Sequence, residues 1–113
     1  VDFTVHQRRY GDHTIVAVGG DIDVETSPRL RDFLLGLVED GARHLVIDLG
    51  RVTFLDSTGL GVMIGVFHRL GAANGSMSFA GGSSAVRGVF HVTQLTKVFA
   101  LHDTLDQALL PAH

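Results

Sequence analysis

No cysteine occurs in the chain, so it can build neither a disulfide framework nor a thiolate metal site. Absence of disulfide chemistry is compatible with a reducing compartment, and the cytoplasm is the expected location. Long apolar runs are missing too: none approaches the ~20 residues a membrane-spanning helix needs, so no membrane role is expected. No charged-then-apolar leader precedes the first strand pattern, so export is not expected, and Val1 in place of Met reads as a trimmed start. Clustered positive charge is also lacking. The nine Lys and Arg residues are scattered, with Arg8-Arg9 the only adjacent pair, against twelve acids and a formal charge of −3. Nucleic acid is thereby excluded as the main partner, because phosphate binding needs a concentrated basic surface. Seven histidines are present, but no H-x-x-x-H pair occurs among them, and no metal site is expected.

What is present is ordinary globular material. Apolar residues make up 45% and charged residues 19% of 113 positions, enough for one domain over residues 1–113 with one modest core. Phe3 and Val5, then Ile15 to Val18, are β-type runs joined by a Gly11-Asp12 turn, predicting an opening hairpin whose second strand ends at Gly19-Gly20. Thr26-Ser27-Pro28 reads as a hydroxyl-capped helix start, with Leu30, Phe33, Leu34, Leu37 and Val38 as its apolar stripe and Gly41 as its stop. Leu45-Val46-Ile47-Asp48-Leu49 is a buried strand by its β-branched content. The next helix carries Leu60, Met63, Ile64, Phe67 and Leu70 on one face and ends near Gly71. Met77, Phe79 and Ala80 predict a short strand, and Ser83 or Ser84 caps a helix through Phe90 with Val86, Val89 and Phe90 inward. Val98 to Leu101 predicts a last edge strand, and Asp103 caps a final helix bearing Leu105, Leu109 and Leu110. Strands alternating with helices imply an α/β fold, a mixed, mostly parallel sheet of about five strands with about four helices.

The chain is organised around Phe54-Leu55-Asp56-Ser57-Thr58-Gly59-Leu60-Gly61-Val62-Met63-Ile64-Gly65. Ser57 stands at or beside a helix N-cap, where a hydroxyl can accept from the free amides of the first turn. Capping is the plain structural role for such a serine. The same position favours an anion, since open amides and the positive dipole end point at it. Gly61 and Gly65 lie four apart on one helix face and suit close approach of another backbone, either a partner's or this chain's own sheet. Val62, Val66 and Arg69 run beside the core face and are expected to mark a docking patch, which could equally pair with itself.

Asp56-Ser57-Thr58-Gly59-Leu60-Gly61 resembles the D-S-[ST]-G-L-G signature of bacterial anti-sigma factor antagonists, the STAS-domain proteins. Gly20-Asp21-Ile22-Asp23, His44 to Leu49, and Ala85 to Phe90 agree with that family in order and spacing. The resemblance implies a single STAS-like domain and a chain that is a substrate rather than an enzyme. It implies that Ser57 is the phosphorylation site, with Thr58 a minor acceptor, and that no cofactor is held. The implied partner is an anti-sigma factor with serine kinase activity, bound by the unmodified form so that a sigma factor is freed. A serine phosphatase resets the switch. Partner contacts are expected at Asp23, Asp56, Ser57, Thr58, Gly59, Leu60, Gly61, Val62 and Gly65. Asp23 has an equally plain role as a loop carboxylate, and Asp21 stands where the family more often has Glu. The chain itself is expected to be a monomer or weak dimer. Another role within the same fold is a non-phosphorylated interaction module, for instance of a membrane transporter.

Catalytic readings fare worse. Ser57, Asp56 and His68 supply the residue types of a hydrolytic triad, but eleven helical positions set His68 about 16 Å from Ser57. No G-x-S-x-G elbow surrounds Ser57. Gly59, Gly61 and Gly65 match a dinucleotide loop only loosely, and a P-loop lacks its Gly-Lys-[Ser/Thr]. A small nucleotide-binding or hydrolytic protein is the third reading.

Overall fold

The computed structural model describes residues 2–110; Val1, on which the expectation of a trimmed start rests, lies outside them. Strand β1 (Thr4–Tyr10) folds back antiparallel on β2 (His13–Ile22) through the Gly11-Asp12 turn, where Gly11 takes φ +59°. Strands β3 (His44–Leu55), β4 (Ser76–Ala80) and β5 (Ala100–His102) add in parallel, giving the order β1-β2-β3-β4-β5. The helices are α1 (Ser27–Glu39), α2 (Ser57–Ala72), α3 (Ser84–Val92) and α4 (Leu105–Ala108).

This order decides where the helices lie. Parallel crossovers are right-handed, so successive steps in one direction across the sheet drop every crossover helix on the same face. Accordingly Leu30 and Leu34 of α1, Met63 and Leu70 of α2, and Phe90 of α3 share one core with Val16, Ile47 and Phe79 of the sheet. The pleat sends Val46 the opposite way, where it meets Ala80 and Ala108 beneath α4. Phe79 anchors the main core, its ring 5.0 Å from that of Phe90 and 4.9 Å from that of Phe99.

Several boundaries differ from the sequence-based expectation. Strand β2 does not end at Gly19-Gly20 but runs on to Ile22, and β3 continues well past Leu49. The register passes from Ala17↔Asp48 to Gly19↔Arg51, and from Gly20↔Val52 to Asp21↔Phe54, so β3 carries one extra residue at each step. These are bulges. A side chain at Gly20 would run into the backbone of Asp2, and its φ is +83°, so glycine here permits the bend rather than stopping the strand. At the other edge, Val98 and Phe99 precede β5 instead of belonging to it. They close a 3₁₀ turn (Leu95–Lys97) that follows Gln94 in the left-handed region, with both amides bonded to Leu95 O. Helix α3 extends beyond Phe90 to Val92 and is capped by Ser83. Helix α4 is capped by Thr104, not Asp103, whose carboxylate pairs with Arg87 at 2.9 Å. Leu105 begins that helix, whereas Leu109 and Leu110 fall past its end. At α1 the expected hydroxyl cap is also absent: Thr26 Oγ1 donates to Asp21 O at 2.7 Å. Among the described residues no helix is long and apolar enough to cross a membrane.

Candidate partner-binding site at the start of the second helix

The site grows from the long β3, which runs on past its pairing with β4 at Asp48 and, after Leu55, turns through Asp56 directly into α2. Asp56 adopts an extended conformation (φ −114°, ψ −177°) and caps the helix, its Oδ1 accepting from Thr58 N at 2.9 Å and Gly59 N at 3.1 Å. Both Asp and Ser cap well, and only the residue in extended backbone can do so. The capping hydroxyl expected of Ser57 is therefore replaced by the Asp56 carboxylate. Ser57 is the first helical residue, exposed, as is Thr58 beside it. Released from capping, the Ser57 hydroxyl is presented to solvent.

The same cap changes the electrostatics. Asp56 occupies the amides of Thr58 and Gly59, and Leu60 N bonds to Asp56 O at 3.2 Å. A phosphate on Ser57 would thus meet a helix end whose Thr58 and Gly59 amides are already taken, and an adjacent carboxylate, not the open cradle of amides the sequence suggests. The dipole still favours a negative group by roughly 0.3–1 kcal/mol, while the carboxylate opposes it.

A second loop is stitched to this turn. Asp56 N donates to Ile22 O at 3.2 Å, and Thr53 Oγ1 donates to Asp21 Oδ1 at 2.6 Å. Asp23 Oδ1 accepts from Glu25 N at 2.9 Å and Thr26 N at 3.1 Å, so one carboxylate oxygen shapes the loop. Asp23 and Ser57 are thereby held on neighbouring, mutually bonded turns.

Along α2 the predicted residues separate by face. Gly59 and Leu60 are buried; a Cβ on Gly59 would stand 2.5 Å from Ile22 Cγ2 and 2.8 Å from Leu55 Cδ1. They support the turn from beneath. Gly61 and Gly65 are exposed, and a Cβ on either would meet nothing within 4 Å, so packing against this chain's own sheet does not explain them. Each costs its helix about 1 kcal/mol relative to alanine. Val62 is half-buried, and Arg69 is exposed. Val66, expected on an exposed docking patch, is instead 1% exposed and part of the core. It stands between Met63 and Leu70 on the inward face, which lies one helical step from where Ile64 and Phe67 suggested.

Two apolar side chains flank the site unannounced. Val24 in the Asp23 loop is 68% exposed and Phe54 is 50% exposed. Phe54 shares a shallow cleft with Ala85 and Val89 of α3. Strict alternation from buried Val52 would turn Phe54 inward; the bulge at Thr53 turns it out. No sequence periodicity signals such a slip.

A family model for the STAS domain matches residues 5–108. The chain belongs to the STAS domain family. This STAS domain is 32% identical over 88 residues to an anti-sigma-B factor antagonist of Staphylococcus aureus (strain NCTC 8325 / PS 47), covering 78% of this chain and 82% of that protein. It superposes with a TM-score of 0.88 on the crystal structure of an anti-sigma factor antagonist from Mycobacterium paratuberculosis, at 34% identity over 96% of this chain and 92% of that one. The anti-sigma factor antagonist SpoIIAA in its unphosphorylated form shares the fold, with a TM-score of 0.79 at 22% identity, covering 96% and 93% of the two chains. These names denote regulatory antagonists, not enzymes.

Proposed function

We propose that this STAS domain antagonises an anti-sigma factor and is switched by phosphorylation of Ser57. The unmodified domain binds an anti-sigma factor that carries serine kinase activity, and the sigma factor is released. Phosphorylation breaks the complex, and a serine phosphatase restores it. All of this takes place in the cytoplasm with residues 1–113 acting as one unit. The observation that carries the reading is the exposed Ser57 at the first position of α2, with the capping duty taken by Asp56. Relatives named as anti-sigma factor antagonists support the partner class.

Charge explains why the modification would act on the complex and not on the fold. A phosphate brings about −1.5 to −2 charges to a turn already holding Asp56, with Asp23 on the loop bonded to it. In solvent that repulsion is screened. Enclosed in an interface without a cation it costs several kcal/mol, and every ~1.4 kcal/mol is tenfold in affinity. Asp23, Asp56, Ser57, Thr58, Gly61, Val62 and Gly65 form the contact surface, with Gly59 and Leu60 beneath them and Val24 and Phe54 as added apolar anchors.

Incubation with the co-purified anti-sigma kinase and ATP, followed by mass mapping, should place one phosphate on Ser57. Ser57→Ala should abolish it, and Ser57→Asp should fail to retain the kinase. A phosphate mapped elsewhere, or a kinase complex indifferent to Ser57→Asp, would refute the switch.

A further inference from the structure

Helices α1 and α2 lie side by side on the sheet, and a groove of about 670 Å³ runs between them. Its floor is apolar, formed by half-buried Leu35 and Val62 over the core residue Val66, and along α2 it is bordered by the bare backbone of Gly61 and Gly65. Its rim is basic. Arg31 on the α1 wall and His68 and Arg69 on the α2 wall line it, and no acidic side chain does. Helix α2 contains no Asp or Glu at all, in a chain whose acids outnumber its bases by twelve to nine. Arg31 has one carboxylate near, Asp32 at 3.5 Å, but the two side chains are 55% and 75% exposed, which leaves that pair weak. Arg69 has no ion pair among the described residues.

We infer that this groove receives an acidic amphipathic α-helix presented by a protein partner. The floor excludes an extended peptide, whose backbone amides and carbonyls would be buried against side chains that offer no hydrogen bonds. It equally disfavours a nucleic acid strand, which needs aromatic platforms between its phosphate contacts, and no Phe, Tyr or Trp lines the groove. A helix satisfies its own backbone and can seat apolar residues at i, i+3, i+4 and i+7 on the floor. Gly61 and Gly65 let its backbone come close, and Glu or Asp on its two flanks reach Arg31 on one side and Arg69 on the other. From Gly61 to Ala72 the groove follows α2 for about 16 Å, three helical turns. Its Gly61 end lies one turn, about 6 Å along the axis, from Ser57. Resting here on the proposed switch, a phosphate at Ser57 would repel the near end of such an acidic helix.

The test uses the whole chain and a synthetic helical peptide of about four turns, with leucines at the groove spacing and glutamates flanking them. A sister peptide carries lysine for every glutamate. Titration followed by amide chemical shifts should perturb Arg31, Leu35, Gly61, Gly65 and Arg69 with the acidic peptide. The lysine peptide should bind at least about tenfold more weakly, as should the acidic peptide to the Arg31→Glu/Arg69→Glu variant. Gly65→Leu should block the groove without lowering the thermal midpoint, since its Cβ meets nothing within 4 Å and the rest of the side chain enters the groove itself. Equal binding of both peptides, shifts confined to another face, or no binding would overturn the inference. So would sedimentation as a dimer whose contacts map to these residues, because a second copy would then fill the groove. The kinase takes no part in these titrations. A failed groove therefore leaves Ser57 phosphorylation standing, and an unphosphorylated Ser57 leaves the peptide result unchanged.

Discussion

Three glycines within seven residues of α2 should respond to alanine in opposite directions. At Gly59 the new methyl would stand 2.5 Å from Ile22 Cγ2, 2.8 Å from Leu55 Cδ1 and 3.4 Å from Ile22 Cβ. Comfortable carbon–carbon separation is about 3.5–4.0 Å, so two side chains must each retreat by roughly 1 Å. Neither has room: Ile22 is 0% and Leu55 4% exposed. Overpacking of this kind costs about 1–3 kcal/mol, against a helix-propensity gain of about 1 kcal/mol. The methyl is aimed at a buried β-branched side chain, so the upper half of the range applies, and net destabilisation of about 1–2 kcal/mol is expected. At Gly61 and Gly65 nothing lies within 4 Å, and only the propensity gain operates, stabilising by about 0.5–1 kcal/mol each. Urea unfolding of the three single variants, with m unchanged, reads these differences directly. In thermal melts the expected shifts are about 4–8 °C downward for Gly59→Ala and about 2–4 °C upward for each of the others. Neutral or stabilising Gly59→Ala, or destabilising Gly61→Ala, would refute the division of α2 into a packed face and an open one.

Asp56→Ala should destabilise by about 1–2 kcal/mol, since two first-turn amides lose their acceptor, while Asp56→Asn should lose only a few tenths; chemical denaturation separates them. Arg87 donates to Gly81 O at 2.9 Å, His102 O at 3.0 Å and Asp103 Oδ1 at 2.9 Å, joining α3 to the β5 edge. Arg87→Ala should cost about 1–2 kcal/mol by leaving Gly81 O without its donor, while His102 O still accepts from Gly81 N at 3.0 Å; Asp103→Ala should cost under about 1 kcal/mol because that carboxylate is 79% exposed.

Much of this arrangement was legible from residue order. The 3.6-residue period of α2, the Pro at the start of α1 and the Gly11-Asp12 turn are local signals that the fold leaves intact. The signature around Ser57 likewise located the exposed turn. What residue order leaves unspecified depends on partners distant in sequence. Phe54 faces outward because β3 slips by a residue against β2, and nothing within Arg51 to Leu55 encodes that slip. The capping role passed from Ser57 to Asp56 because the chain enters α2 from a strand held by Ile22 O. Val66 reads as outward in the sequence because Ile64 and Phe67, equally apolar, set the apparent centre of the stripe, whereas the neighbouring α1 fixes the true one.

Because spatial order across the sheet repeats chain order, each strand after the first pairs with one that the ribosome has already released. Everything that frames Ser57 comes from one continuous piece: the Asp21–Thr26 loop, the end of β3 and the first turn of α2. The residues that frame this turn are therefore all present on a nascent chain before β4 and β5 are synthesised, and the later strands complete the core beneath it.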